Sequence, residues 1–182
     1  MAPRDEVGFD PLALVAACAV PGLGHFLRGE RVRAGCIATG VLGLFTSGLL
    51  VGGVDVIDRK EDGVWFMGQA LVGPLTFGID WYHQNHLKVL DADSKRLRSA
   101  NPDEGRNPAT REAIPLAPGQ LPPNSKSVGK INELGTLFCA VAGMLNLIVI
   151  LDAGFPSRRR DNQPKPSSQP PTQSPTQPAL AR

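Results

Sequence analysis

Residues Leu134 to Phe155 read LGTLFCAVAGMLNLIVILDAGF, interrupted in polarity only by Thr136, Asn146 and the terminal Asp152. At 1.5 Å per residue a helix of this length covers about 30 Å of hydrocarbon. This stretch predicts a transmembrane helix over 133–155. Upstream, Ala34 to Ile57, AGCIATGVLGLFTSGLLVGGVDVI, has no charge before Asp55 and predicts a second span over 34–57. Its glycines would weaken a soluble helix, whereas in a bilayer they let backbones approach closely. Cys36, Gly40, Gly48 and Gly52 recur at multiples of four, Thr39, Gly43 and Ser47 form a second small stripe, and Gly135, Cys139 and Gly143 repeat the spacing. Gly40, Gly43, Gly48, Gly52, Gly135 and Gly143 are therefore the candidate helix-packing positions.

Two weaker apolar blocks flank the second span. Val64 to Trp81 carries Gln69 and Pro74, with Trp65 at one end and Trp81-Tyr82 at the other as interfacial anchors, and predicts a helix over 64–82. Pro11 to Leu27, PLALVAACAVPGLGHFL, is short for a span and broken by Pro21, Gly22 and Gly24, so over 11–27 it reads as a kinked span, a re-entrant segment or an interfacial helix. Val15-Ala16-Ala17-Cys18 has the form of a lipoprotein cleavage box, but Asp5, Glu6 and Asp10 replace the basic flank that a secretory signal requires. The three cysteines, Cys18, Cys36 and Cys139, lie inside apolar blocks without CxxC spacing and read as small buried residues.

The rest of the chain is polar. Residues 1–10 form a short N-terminus, and 83–132 a loop that opens with HQNHLKVLDADSKRLRS, a candidate short helix, and continues with prolines at 102, 108, 115, 118, 122 and 123. Repeated prolines disfavour regular helix or central strand there. Beyond Pro156 the tail 156–182, rich in Pro, Gln, Ser and Thr, cannot bury enough apolar surface to order itself and reads as disordered. The fold class that follows is an all-α integral membrane protein: a small bundle of three to four transmembrane helices with a long polar loop and a disordered C-terminal tail. Basic residues divide almost evenly between alternate connectors, which leaves the orientation open.

Pro21-Gly22-Leu23-Gly24-His25-Phe26, followed by Gly29-Glu30-Arg31, and Glu133-Leu134-Gly135-Thr136 leading into AVAGMLNLIVILDA, resemble a family of small uncharacterised bacterial multi-span membrane proteins. The first element is also similar to the PGLG, aromatic, GR pattern of the two-transmembrane domain family, with Phe26-Leu27 where an aromatic pair is common. The resemblance covers about residues 11–82 and 130–155. It implies membrane residence, in a bacterial inner membrane as a multi-pass protein, and no transferable activity.

Chemistry has few candidates. His25, Gln69 and Asn146 are the intramembrane polar residues; each is costly against lipid and is expected to face another helix or a polar cavity. No acidic partner for His25 is apparent in the sequence. Asp80, His83 and His86 could share a helical face as metal ligands, but three groups at a membrane boundary read first as a solvated turn. Asp55, Asp58 and Asp152 close the apolar blocks, where water is expected to reach them. No phosphate loop, GxSxG, HExxH or CxxC is present, and a net charge of +2 without an aromatic-basic face argues against nucleic acid. No cofactor, metal or catalytic residue is assigned. The expected role is a non-enzymatic membrane interaction protein, scaffold or accessory subunit whose partners are the lipid bilayer and a second copy or another membrane protein. The alternative is a small oligomeric transporter or channel using Asn146 and Gln69.

Overall fold

A computed structural model describes residues 8–124 and 129–155. Six helices, α1 (Pro11–Ala19), α2 (Leu23–Leu27), α3 (Arg31–Gly52), α4 (Gly63–Ala70), α5 (Pro74–Tyr82) and α6 (Lys130–Gly154), make the chain mostly helical. Among the described residues only α3 and α6, of 22 and 25 residues, are long and apolar enough to cross a membrane. They run antiparallel and form the main interface of the bundle.

The first and third apolar blocks are not single helices. Asp10 caps α1 by accepting from the Ala13 N–H at 3.0 Å, and Pro11 fits the first turn, where no intrahelical N–H is needed. The helix stops at Val20, ahead of Pro21, and Gly22 takes a left-handed φ of 86° that turns the chain back into α2. Both ends of this unit lie beside the C-terminal end of α6: the Asp10 N–H donates to the Gly154 carbonyl at 2.9 Å, and His25 meets Asp152.

The third block does the same from the opposite end. Gly73, with φ 120°, and Pro74 break α4 from α5. Phe66 and Phe77 then pack edge to face with centroids 5.5 Å apart, and the Arg59 N–H donates to Asp80 at 3.1 Å, closing the base of the turn. Trp65 and Trp81-Tyr82 accordingly fall at one end of the bundle, not at opposite ends. The two turns meet inside it: a Cβ on Gly73 would lie 2.8 Å from the Cys18 carbonyl oxygen and 3.1 Å from that of Ala19. Two hairpins of half-length helices thus enter from opposite ends and touch tip to tip against the α3–α6 pair, where three or four full-length helices are read from the sequence.

The core joins Val41 and Phe45 of α3, Val56, Ile57, Phe66 and Val72 to Cys139 and Ala142 of α6, and a second cluster packs Ala13 and Ala17 on Ile150 and Ala153. Cys139 alone of the cysteines is buried; Cys18 and Cys36 are exposed among the described residues.

The long polar segment has regular structure despite its prolines. One wide helical turn, His83–Leu87, leads into β1 (Val89–Leu90) paired with β2 (Leu97–Arg98), and β3 (Glu104–Arg106) pairs with β4 (Ala113–Pro115), both antiparallel. A bridge between Leu90 and Glu112 joins the two β-hairpins into a cap over the end of the bundle formed by Gly52 and Lys130. Pro115 ends its strand and the other prolines lie outside strands, where a missing N–H breaks no ladder. The tail 156–182 lies outside the described residues.

Candidate functional site

Small residues set how closely the helices approach. A Cβ on Gly48 would meet the Gly135 carbonyl oxygen at 2.8 Å, one on Gly135 would meet the Gly52 Cα at 2.7 Å, and Gly143 backs directly onto the Gly68 carbonyl. Gly48, Gly52, Gly135 and Gly143 are therefore contact points within the chain. Gly40 and Gly43 are not: among the described residues nothing lies within 4 Å of the position their Cβ would occupy.

Polar side chains inside the bundle are bonded to its backbone. Gln69, fully buried, donates from its side-chain amide to the Val56 carbonyl at 2.8 Å while its backbone carbonyl accepts from the Thr76 hydroxyl at 2.9 Å. Asn146, also fully buried, donates to the Leu71 carbonyl at 2.8 Å and so ties the tip of the second hairpin to α6. Both amide oxygens lack a hydrogen-bond partner among the described residues.

Two polar clusters occupy the ends. At the first, His25 is fully buried and its Nε2 lies 2.8 Å from Asp152, which also pairs with Arg33; Arg33 reaches Glu30 at 3.2 Å. His25 is thus a buried side chain at the end of the bundle, and Asp152 is the acidic partner that the sequence hides.

At the second end, the carboxylates expected in water are buried. Asp55 accepts from the Ser99 hydroxyl at 2.8 Å and lies 3.3 Å from His83 Nε2; Asp58 forms an ion pair with the buried Lys88 and accepts the N–H groups of Lys60 and Glu61 at 2.8 and 3.2 Å. Burial alone would push the Asp58 carboxyl up, but the Lys88 ammonium and the two N–H donors outweigh it and hold it below the ordinary carboxylate range. Burial works against the charge of Lys88 as well, and Asp58 with Glu61, the latter at 2.7 Å, raises it. Gln84 links Asp58 to Asp80 at 2.8 and 3.3 Å.

Asp80, His83 and His86 do not converge. His83 Nδ1 lies 3.2 Å from the Ile57 carbonyl and points inward, Asp80 holds the Arg59 backbone, and His86 stacks on Tyr82 with centroids 4.8 Å apart. Among the described residues no group of three or more His, Cys, Asp or Glu side chains could hold a metal ion. The solvated turn expected here is instead the buried joint between bundle and cap, because Ile57 and Val56 fold beneath it and exclude water. Lys88 between Leu87 and Val89 is the sequence signal for that burial, since a lone cation in an apolar run needs a paired anion.

On the cap, Arg98 forks onto Glu104 at 2.6 and 2.9 Å and reaches Asp91 at 3.2 Å, pinning one β-hairpin to the other. This pair holds the Glu104 carboxyl down at about 2.

No curated protein and no solved structure matches the chain. A family model does, over residues 12–165, a range that takes in both hairpins, the cap and α6: the chain belongs to the family of unknown function DUF6677.

Proposed function

We propose that this is an integral membrane protein that acts by binding, with α3 and α6 as its two spans, the α1–α2 and α4–α5 hairpins as re-entrant segments, and the outer face of α3 as the docking site for a helix of another membrane chain or a second copy. The observation that carries the reading is the contrast between two outward faces. Along α6 the exposed residues are large and aliphatic, Leu137, Leu145, Leu147, Ile148 and Leu151, as lipid-facing positions are. Along α3 the exposed line runs, between Val32 and Leu50 at its ends, through Cys36, Thr39, Gly43 and Thr46, and the Thr46 hydroxyl is already bonded to the Leu42 carbonyl at 2.8 Å. Small residues in a bilayer favour close helix association, whereas lipid gains nothing from them.

Re-entrant hairpins fit the same environment. Broken backbone at membrane depth is tolerated where protein covers it, and each turn here packs on α3, α6 or the other turn. The exposed Trp65, Trp81 and Tyr82 then share one interface, as an aromatic belt requires.

The test is extraction from native membranes in mild detergent, with mass spectrometry of whatever co-purifies in stoichiometric amount. The expected result is a defined partner or homo-oligomer that is lost in Gly43→Leu; a monomer without company overturns the reading. A second reading, transport through an oligomer, is favoured by the unpartnered buried oxygens of Gln69 and Asn146. It requires that Asn146→Leu and Gln69→Leu abolish flux in reconstituted vesicles while the protein still folds.

A further inference from the structure

We propose that the cleft bounded by the first β-hairpin of the cap, the Lys60-Glu61 connector and Arg111 of the second β-hairpin is a binding site for a phosphate-bearing anion. The cleft encloses about 900 Å³, within the size range of small-molecule sites, and Lys60, Lys95, Arg96, Arg98 and Arg111 line it. Leu90 and Leu97 supply an apolar floor, and Glu61 is the one carboxylate in the lining.

The charge balance favours an anion. Glu61 is drawn away onto the buried Lys88. Arg98 is committed to Glu104 and Asp91 and serves as a fixed wall. Lys95 comes only within 3.7 Å of Glu112, both well exposed, a pairing of little weight in water. Arg111 donates to a neutral acceptor, the Asn85 side-chain oxygen, at 3.3 Å. Lys60 and Arg96 are exposed and make no ion pair among the described residues. Four long cations therefore converge on one concave surface with their charges largely uncompensated. Guanidinium and ammonium donors in this combination suit phosphate oxygens.

The backbone supports the same assignment. Lys95 and Arg111, with φ of 53° and 64°, are the non-glycine residues that take left-handed backbone among the described residues, and both line the cleft. Such positions usually carry Gly, Asn or Asp, and strain of this kind clusters at ligand sites. Each turn is held from both sides: the Lys95 N–H donates to the Asp91 carbonyl at 3.1 Å, and the Arg111 N–H donates to Asn107 while its carbonyl accepts from Leu90 at 2.7 Å. The chain thus places a long cation at two positions where a glycine would fold more easily.

The phosphate can belong to a soluble pyrophosphate or ester, or to an anionic lipid headgroup. Two probes separate these sources. The full chain in neutral detergent is titrated with inorganic pyrophosphate at low salt, and the chain reconstituted in phosphatidylcholine nanodiscs with phosphatidic acid is examined by native mass spectrometry for retained lipid. Lys60→Gln/Arg96→Gln, which removes two exposed side chains without described ion pairs, is expected to weaken capture about tenfold or more, because two of the four uncompensated cations are lost. Saturable pyrophosphate binding lost in the variant assigns a soluble ligand. Phosphatidic acid retained by the wild type and lost by the variant assigns a headgroup. If neither probe distinguishes wild type from the double variant while the two unfold at the same temperature, the site is refuted.

Discussion

His25 and Asp152 stand 127 positions apart in the chain and 2.8 Å apart in the fold, closing the first hairpin onto the end of α6. The imidazole is fully buried while the carboxylate is partly exposed, so the cost of losing the pair falls on the histidine. Asp152→Ala is expected to destabilise the protein by about 1–3 kcal/mol, the cost of an unsatisfied buried polar group. His25→Ala with Asp152→Ala should cost less than the two single changes added, and thermal unfolding of the four proteins in one detergent reads the coupling.

The same glycine-to-larger change separates two roles. Gly143→Val drives methyl groups into the Gly68 carbonyl and is expected to cost about 3 kcal/mol or to block folding. Gly43→Ala meets nothing within 4 Å, so unfolding of the isolated chain should be unchanged or slightly raised, by up to about 1 kcal/mol of helix propensity. If Gly43→Ala unfolds the monomer, the assignment of that face to the outside is wrong.

How far the sequence could be read follows from the range of each interaction. The α3 and α6 segments are legible because hydropathy and length act locally, and the same windows that reveal them count apolar residues only. Hydropathy does not register that Pro21-Gly22 and Gly73-Pro74 reverse the chain, since a span and a folded-back hairpin have the same composition. Gly40 and Gly48 look alike in a four-residue spacing, and only the position of Gly135 distinguishes them. Asp55 and Asp58 were hidden for a different reason: their burial depends on residues as distant in the chain as Ser99 and Asn132, and the only local hint is Lys88 set between Leu87 and Val89.

Where the hairpin tips meet, Gly73 is held at a φ of 120° and against the carbonyls that end α1. Gly73→Ala combines unfavourable backbone with a collision and is expected to cost about 2–4 kcal/mol. Gly29→Ala, at φ 80° but with open space around it, should cost only the backbone part, about 1 kcal/mol. Equal losses at the two positions would show that the tips do not touch.

Stability of the joint between bundle and cap should depend on pH through Asp58 and Lys88. The Asp58 carboxyl is depressed in the folded protein, so its contribution is complete above the unfolded value of about 4 and is lost as pH falls through the lower folded value. Lys88 is raised, so its contribution is complete below the unfolded value of about 10.4 and is lost as pH rises through the higher folded value. Between these limits the pair should give a plateau. Lys88→Met leaves Asp58 buried without its cation and is expected to cost about 3–5 kcal/mol on that plateau. Measuring unfolding of both proteins from neutral pH down to pH 3 decides the matter: a wild type as stable at pH 3 as at neutrality, or a Lys88→Met variant as stable as the wild type, would mean that the pair does not hold the cap to the bundle.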